Sequence, residues 1–470
     1  MAAGALLLST NSCDKYLDVN EDPNNLLAVP YELVLPAAEL STAFTYNWFL
    51  GIYGSLWAQH CTQKPQASQY TSIMAYSAPA TEFNAFWSEC YSGALNDYQY
   101  VLEESEKVGD WNSYLIATCM QAFNYAYLVD CFDKIPYFEA CKGATVTLHP
   151  KYDDGVDVYD DLITRLNTAV GKTFATVVTK QNGKDDQVFA GDINKWKAFA
   201  NTLKLKLYLR QTKFNAAKAT TGINACLADA AGFTTASIGA YTASVGSENP
   251  LYSVIGPNGL TTVNLAATEQ TVNMFTANRD PRISGIYKMG ADTVFLGAPY
   301  GQLGDSRYTT AATANKLASI NIKGNDPVWF FSPAQLSFML AEAKLFVGQN
   351  AAADYEAGVT ASFVDFGSTA TAAAALLATD SVYEYPSAGT NANKLEAIIT
   401  QKWIAAASRQ PAEAWFDHSK TGYPSFMIPS PDAGGIQMPK RFIWPATELE
   451  RNRNAPKVQV GYFEPVWWAK

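Results

Sequence analysis

The chain has 470 residues, 48% hydrophobic and 13% aromatic, enough to bury a large core arranged as up to about three domains or one extended helical array. Its formal charge of −10 at pH 7, with no Lys/Arg cluster, excludes a nucleic-acid-binding face, which needs basic residues to neutralise phosphates. No apolar stretch approaches the roughly 20 residues of a membrane span.

Ala2 to Leu8 is an apolar run of signal-peptide length, followed by small polar residues and then Cys13-Asp14-Lys15-Tyr16-Leu17-Asp18. This resembles a bacterial lipoprotein signal whose cysteine becomes the acylated first residue. Residues 1–12 then read as a signal peptide incomplete at its start, Cys13 as the lipidation site and residues 13–30 as a tether. The alternative is a frayed N-terminus with a chance cysteine. The remaining cysteines (61, 90, 119, 131, 141 and 226) contain no C-x-x-C pair, so structural zinc and thioredoxin-like chemistry lack their spacing. They read mostly as buried thiols, with one disulfide left open; Cys131 and Cys141 are the closest pair in sequence.

Helical periodicity then dominates. Leu33, Pro36, Ala37, Leu40, Phe44 and Trp48 predict a helix from Pro30 to about Tyr53. Further helices are expected over Phe83 to about Glu106 and Trp111 to Phe132, and after Pro150, where Asp157, Asp160 and Asp161 complement a helix start. The spacing of a calcium loop is absent there. Asp192 opens a helix with Trp196, Phe199, Leu203 and Leu207 facing inward and Lys195, Lys197, Lys204 and Lys206 expected to face water. Ser332 and Gln335 form a capping-box pattern around Pro333, with a Phe331/Leu336 staple, for a helix ending near Gly348. Helices over Ala352–Phe366 and Lys394–Ala407 follow. Two stretches, from about Phe214 to Trp329 and from Arg409 to Lys470, are rich in turn residues or proline and read as loop-rich excursions.

In this order the residues resemble the SusD-like (SusD/RagB) outer-membrane lipoproteins of Bacteroidetes, across nearly the whole chain. The opening Cys13 to Asn20 with Asp22-Pro23-Asn24 is similar to their mature start. Asp130-Cys131-Phe132-Asp133-Lys134-Ile135-Pro136-Tyr137 resembles their D-x-F-G-D-[IV]-P-Y turn, with Asp133 and Lys134 in place of Gly and Asp. Asn249-Pro250-Leu251-Tyr252, Asp280-Pro281-Arg282, Gln401-Lys402-Trp403, Glu413 to His418, Thr421 to Pro424, and Pro439-Lys440-Arg441-Phe442 with Trp444-Pro445 and Glu448 continue the match. The resemblance implies a mainly α fold of four tetratricopeptide-like helix pairs in a superhelical frame with a variable, loop-rich lobe. Residues 31–470 would form one domain, the frame covering about 31–213 and 331–408 and the lobe about 214–330 and 409–470. It also implies a lipid anchor on the outer membrane at the cell surface, and a TonB-dependent, SusC-like transporter as partner.

His60, His149 and His418 lie in separate segments, and no H-E-x-x-H, G-x-S-x-G or Walker-type motif occurs, so no catalytic constellation, metal site or cofactor is expected. His418 reads as a structural hydrogen-bonding residue. Aromatic richness suits a glycan binder, in which rings stack on sugar faces while polar groups bond hydroxyls. Trp87, Trp196, Trp403 and Trp415 read as core. The candidate ligand contacts are Trp57, Gln59, Tyr70 and Tyr76 between the early helices, and Tyr300, Tyr308 and Trp329 in the lobe. The expected function is capture of oligosaccharides for the transporter; a peptide cargo, a protein-interaction scaffold and a glycoside hydrolase are the alternatives.

Overall fold

A computed structural model describes residues 29–143, 147–174, 185–256, 264–378 and 382–470; Cys13 and the tether lie outside them. The frame opens with α1 (Tyr31–Trp57), which continues past its expected end because Leu56 and Trp57 are buried and hold the last turn. The next helical run comprises α2 (Asn84–Ser88), a π-helical segment (Glu89–Leu95) and α3 (Asn96–Val108), and stops at Gly109 in the left-handed conformation. Asp110 then caps α4 (Trp111–Phe132) through the N–H groups of Asn112 and Ser113. Helices α5 (Gly155–Val170) and α6 (Ile193–Arg210) follow, the latter capped by Asp192 as expected.

Helix α7 (Ala216–Ala228) packs on α6, so the frame extends beyond residue 213. After the lobe come α8 (Pro333–Phe346), α9 (Ala352–Asp365), α10 (Ala370–Leu377) and α11 (Asn391–Ala406). Ser332 accepts from the Gln335 N–H, but the Gln335 side chain accepts from Gln410 instead of closing a capping box. Helix α12 (Pro411–Thr421) corrects the sequence reading, which left this stretch in the lobe; it is buried against α1 and α11. A short α13 (Ala446–Arg451) follows.

The charged residues also depart from expectation. Lys195 is exposed and Lys197 half-buried, but Lys204 and Lys206 are buried. The reason is a charge-balanced network inside the frame: Lys206 pairs with Glu413, Arg210 with Asp130, Glu413 and Asp417, Lys402 with Asp417 and Glu342, and Lys420 with Glu342. Lys206 and Arg210 hold the Glu413 carboxyl below the ordinary carboxylate range, against the upward pull of burial. Around this network the four tryptophans expected in the core are all buried. Near the other end of the chain, buried Trp468 donates from Nε1 to Asp130 Oδ1 at 2.8 Å.

The described cysteines are free thiols, and Cys131 is not joined to Cys141. Cys131 is buried at the end of α4, while half-buried Cys141 meets Tyr125 and Tyr91. In the turn after α4, Asp133 occupies φ 68, ψ −67, and the Lys134 N–H donates to Phe132 O at 2.9 Å. That is a γ-turn of the rare, strained kind, kept here without the glycine of the family pattern. Two contacts hold it: the Trp467 N–H donates to Asp133 Oδ1 at 2.7 Å, and Arg441 lies 3.6 Å from Oδ2.

The lobe is tied down by short antiparallel strand pairs. β1 (Cys61–Gln63) pairs with β5 (Leu265–Ala267), β4 (Ala236–Ile238) with β8 (Val328–Phe331), and β6 (Tyr287–Lys288) with β7 (Ser319–Ile320); in the frame, β2 (Ile135–Pro136) pairs with β3 (Tyr152–Asp153). None of the described helices is long and apolar enough to cross a membrane.

Candidate functional site

The β1–β5 pairing sets Cys61 opposite Ala267 and Gln63 opposite Leu265, which draws the segment after α1 alongside the lobe. The contact continues beyond the strands, where the Lys64 N–H donates to Asn264 O at 2.7 Å. Opposite them lies a four-residue helix, Ala311–Ala314, fixed by a capping box between Thr310 and Thr313. Gly290 makes the close approach on the third side; a Cβ there would stand 2.2 Å from Lys316 O, so only glycine fits.

These pieces enclose an open cleft of about 510 Å³. Its polar groups are Lys64, Gln66, Asn264, Asn315 and Ser319, and its apolar surface includes Pro65, Leu317 and the half-exposed Met289. Lys64 Nζ donates to Asn315 Oδ1 at 2.8 Å, and Gln66 Nε2 to Tyr308 O at 3.0 Å. Partial burial pulls the Lys64 ammonium below the usual lysine range. Gln59, Gln66 and Tyr76 in this segment all adopt left-handed backbone, with φ of 62, 73 and 51. Such strain in side chains other than glycine concentrates where ligands are held.

None of the seven candidate contacts lines the cleft, and six of them are buried. Trp57 is buried and donates to Ile73 O at 3.2 Å while meeting Trp415 edge to face. Gln59 bridges to both backbone groups of Ile428, at 2.5 and 3.2 Å. The Tyr76 hydroxyl accepts the Ser430 N–H at 2.9 Å and lies 3.3 Å from the Tyr300 hydroxyl. Tyr308 is buried with its hydroxyl on Gly297 O at 3.2 Å, and Tyr70 is buried as well. A stacking platform needs an open ring face, and these rings have none. They instead join the early segment, the lobe and the stretch around residues 428–430. Trp329, on β8, is half-buried and keeps some open surface.

The residues that line the cleft are not among those chosen from sequence. Lys64 and Asn315 stand 251 positions apart, and no local pattern couples them.

The chemistry available is hydrogen bonding. His60 Nε2 donates to Trp403 O at 2.8 Å, and burial pulls the imidazole pKa down to about 4. His418 is pulled to about 4 by burial and then by Lys440. Among the described residues no group of three or more His, Cys, Asp and Glu is placed to hold a metal ion.

A SusD-like family model, described as starch-binding associating with outer membrane, matches residues 36–445. Among curated proteins none matches. A SusD homologue from Bacteroides uniformis superposes with a TM-score of 0.79 at 20% identity, covering 94% of this chain and 100% of that one. A chitin-binding SusD homologue from Flavobacterium johnsoniae gives 0.76 at 21% identity, covering 93% and 98%. A SusD-like protein from Bacteroides thetaiotaomicron gives 0.75 at 21%, covering 93% and 98%. The fold is therefore the SusD-like one, mainly α with a helical-repeat frame, and the chain belongs to the SusD-like family.

Proposed function

We propose that the protein is a cell-surface glycan-binding lipoprotein that captures oligosaccharides in the cleft between the β1 segment and the lobe and passes them to a TonB-dependent, SusC-like transporter. The observation that carries this reading is the convergence of Lys64, Gln66, Asn264, Asn315 and Ser319 on one open cleft in a chain of a starch-binding family. Amide, ammonium and hydroxyl groups beside small apolar surfaces are the complement of sugar hydroxyls and the C–H faces between them. Trp329 is a candidate contact for a longer chain. No bond of the ligand is cleaved. Acylation of Cys13 would keep the protein at the outer membrane, and its replacement by Ala would release soluble protein.

Calorimetric titration with malto- and chitooligosaccharides tests the cleft. One series binds, and the Gln66→Ala/Asn315→Ala variant weakens it at least tenfold, about 1.4 kcal/mol, with the helical circular-dichroism signal unchanged. Unaltered affinity in that variant moves the site elsewhere. Release of reducing ends by the purified protein overturns the binding-only mechanism.

A further inference from the structure

A second cleft, of about 620 Å³, lies on the frame and shares no lining residue with the first. One wall is the helical run from α2 to α3, another is α13 with Asn452, and a third is the turn after β2. Asn84, Ser88, Ser92 and Asn96, at every fourth position of that run, all line it. On an α-helix of 3.6 residues per turn, such a row winds away by about 40° at each step. The wider i→i+5 winding of the Glu89–Leu95 segment turns the row back, so four polar side chains face one space along the whole wall. π-Helical segments are rare and recur at functional sites.

The apolar part of the wall is Tyr91, half-buried, with Trp87 behind it at a ring separation of 4.9 Å, together with Pro136, Ala140, Pro150 and the exposed Leu148. Tyr91 is held in place by its hydroxyl, which donates to Pro136 O at 2.7 Å. The facing wall is equally fixed: Thr447 donates from both N and Oγ1 to Asn84 Oδ1 at 3.2 Å, and Asn452 Nδ2 donates to Glu448 Oε1 at 2.6 Å and Pro150 O at 2.9 Å. Charge on the lining cancels, Glu139 and Glu448 against Lys142 and Arg451. A volume in the range of small-ligand sites, one aromatic face, a row of amides and hydroxyls, and no net charge fit a neutral sugar better than an anion or an apolar molecule.

We propose that this cleft is a second saccharide-binding site, which takes a short neutral oligosaccharide against Tyr91 and the Asn84/Ser88/Ser92/Asn96 row. It stands independently of the lobe cleft. Cys141 supplies the readout, because it lines this cleft half-buried while the other described cysteines are buried. The experiment measures Cys141 alkylation by iodoacetamide, followed by peptide mass mapping, with and without maltotetraose, chitotetraose or cellotetraose. At least one of these slows labelling fivefold or more in the wild type and in Gln66→Ala/Asn315→Ala, and the protection disappears in Ser92→Trp, which fills the cleft from an exposed position. The proposal is overturned if none of the three sugars protects Cys141, if protection survives Ser92→Trp, or if it vanishes in the lobe variant.

Discussion

Lys206 Nζ lies 2.7 Å from Glu413 Oε1 where the two side chains are only 5% and 3% exposed, joining α6 to α12 across 207 positions of sequence. Each charge is tolerable there only because it is paired, Glu413 with both Lys206 and Arg210. Lys206→Met leaves Glu413 with Arg210 as its one cation and should cost about 1–3 kcal/mol, and the double change Lys206→Met/Glu413→Gln should cost less than the sum of the two single changes. Urea denaturation of the three variants measures the coupling.

Asp133 combines a strained backbone with two compensating contacts, to the Trp467 N–H and to Arg441. Asp133→Ala keeps the unfavourable conformation and removes both partners. A loss of about 1–3 kcal/mol is expected. Asp133→Asn retains an acceptor for the Trp467 N–H and should lose less, as a pair of thermal melts would register.

Gly54 marks the closest approach of α1 to α12. A Cβ would stand 2.3 Å from Ala412 N and 2.6 Å from Pro411 C, both backbone atoms that have no rotamer to yield. Gly54→Ala should thus destabilise by about 1–3 kcal/mol through overpacking, despite alanine's better helix propensity. An unchanged denaturation midpoint would show that the two helices separate freely.

The protein should weaken in mild acid. His60 is neutral in the fold down to about 4, whereas an unfolded histidine takes up its proton near 6.5. Between these values the unfolded chain binds more protons, so stability is complete above about 6.5 and declines as pH falls toward 4, by on the order of 3 kcal/mol. Glu413, held below its ordinary range, adds to the loss below about 4.5, where unfolded glutamate protonates. His60→Gln should reduce the decline between pH 6.5 and 4 in denaturation curves taken at stepped pH, leaving the share of His418, also pulled to about 4.

The helices announced by local chemistry were legible: Asp192 and Ser332 each accept the N–H bonds that their positions predicted. Two of the misses share one cause. Helix α12 and the inner face of α6 carry charged residues inward, so their hydrophobic period is hidden by Glu413, Asp417, Lys420, Lys204 and Lys206. Hydropathy reads a lysine as solvent-facing, and only the distant carboxylate that meets it says otherwise. The candidate site divides the same way. Sequence pointed to aromatic and polar residues in two stretches, Trp57 to Tyr76 and Tyr300 to Trp329. Which side chains face outward depended on long-range joints, such as Gln59 with Ile428 and Tyr76 with Ser430, that neither segment encodes alone.

The burial of Trp468 has a consequence for how this chain reaches its native state. Asp130, near the end of α4, receives its indole hydrogen bond from Trp468, 338 positions away. The frame cannot close at its centre until residue 468 has been made, and nascent helices wait with a buried carboxylate and its arginine only partly enclosed. Folding should begin as local helix pairs and close late, in a step whose rate is limited by long-range contact formation. Residues 466–469 act as a plug, so a chain cut before them would leave Asp130 without its indole partner.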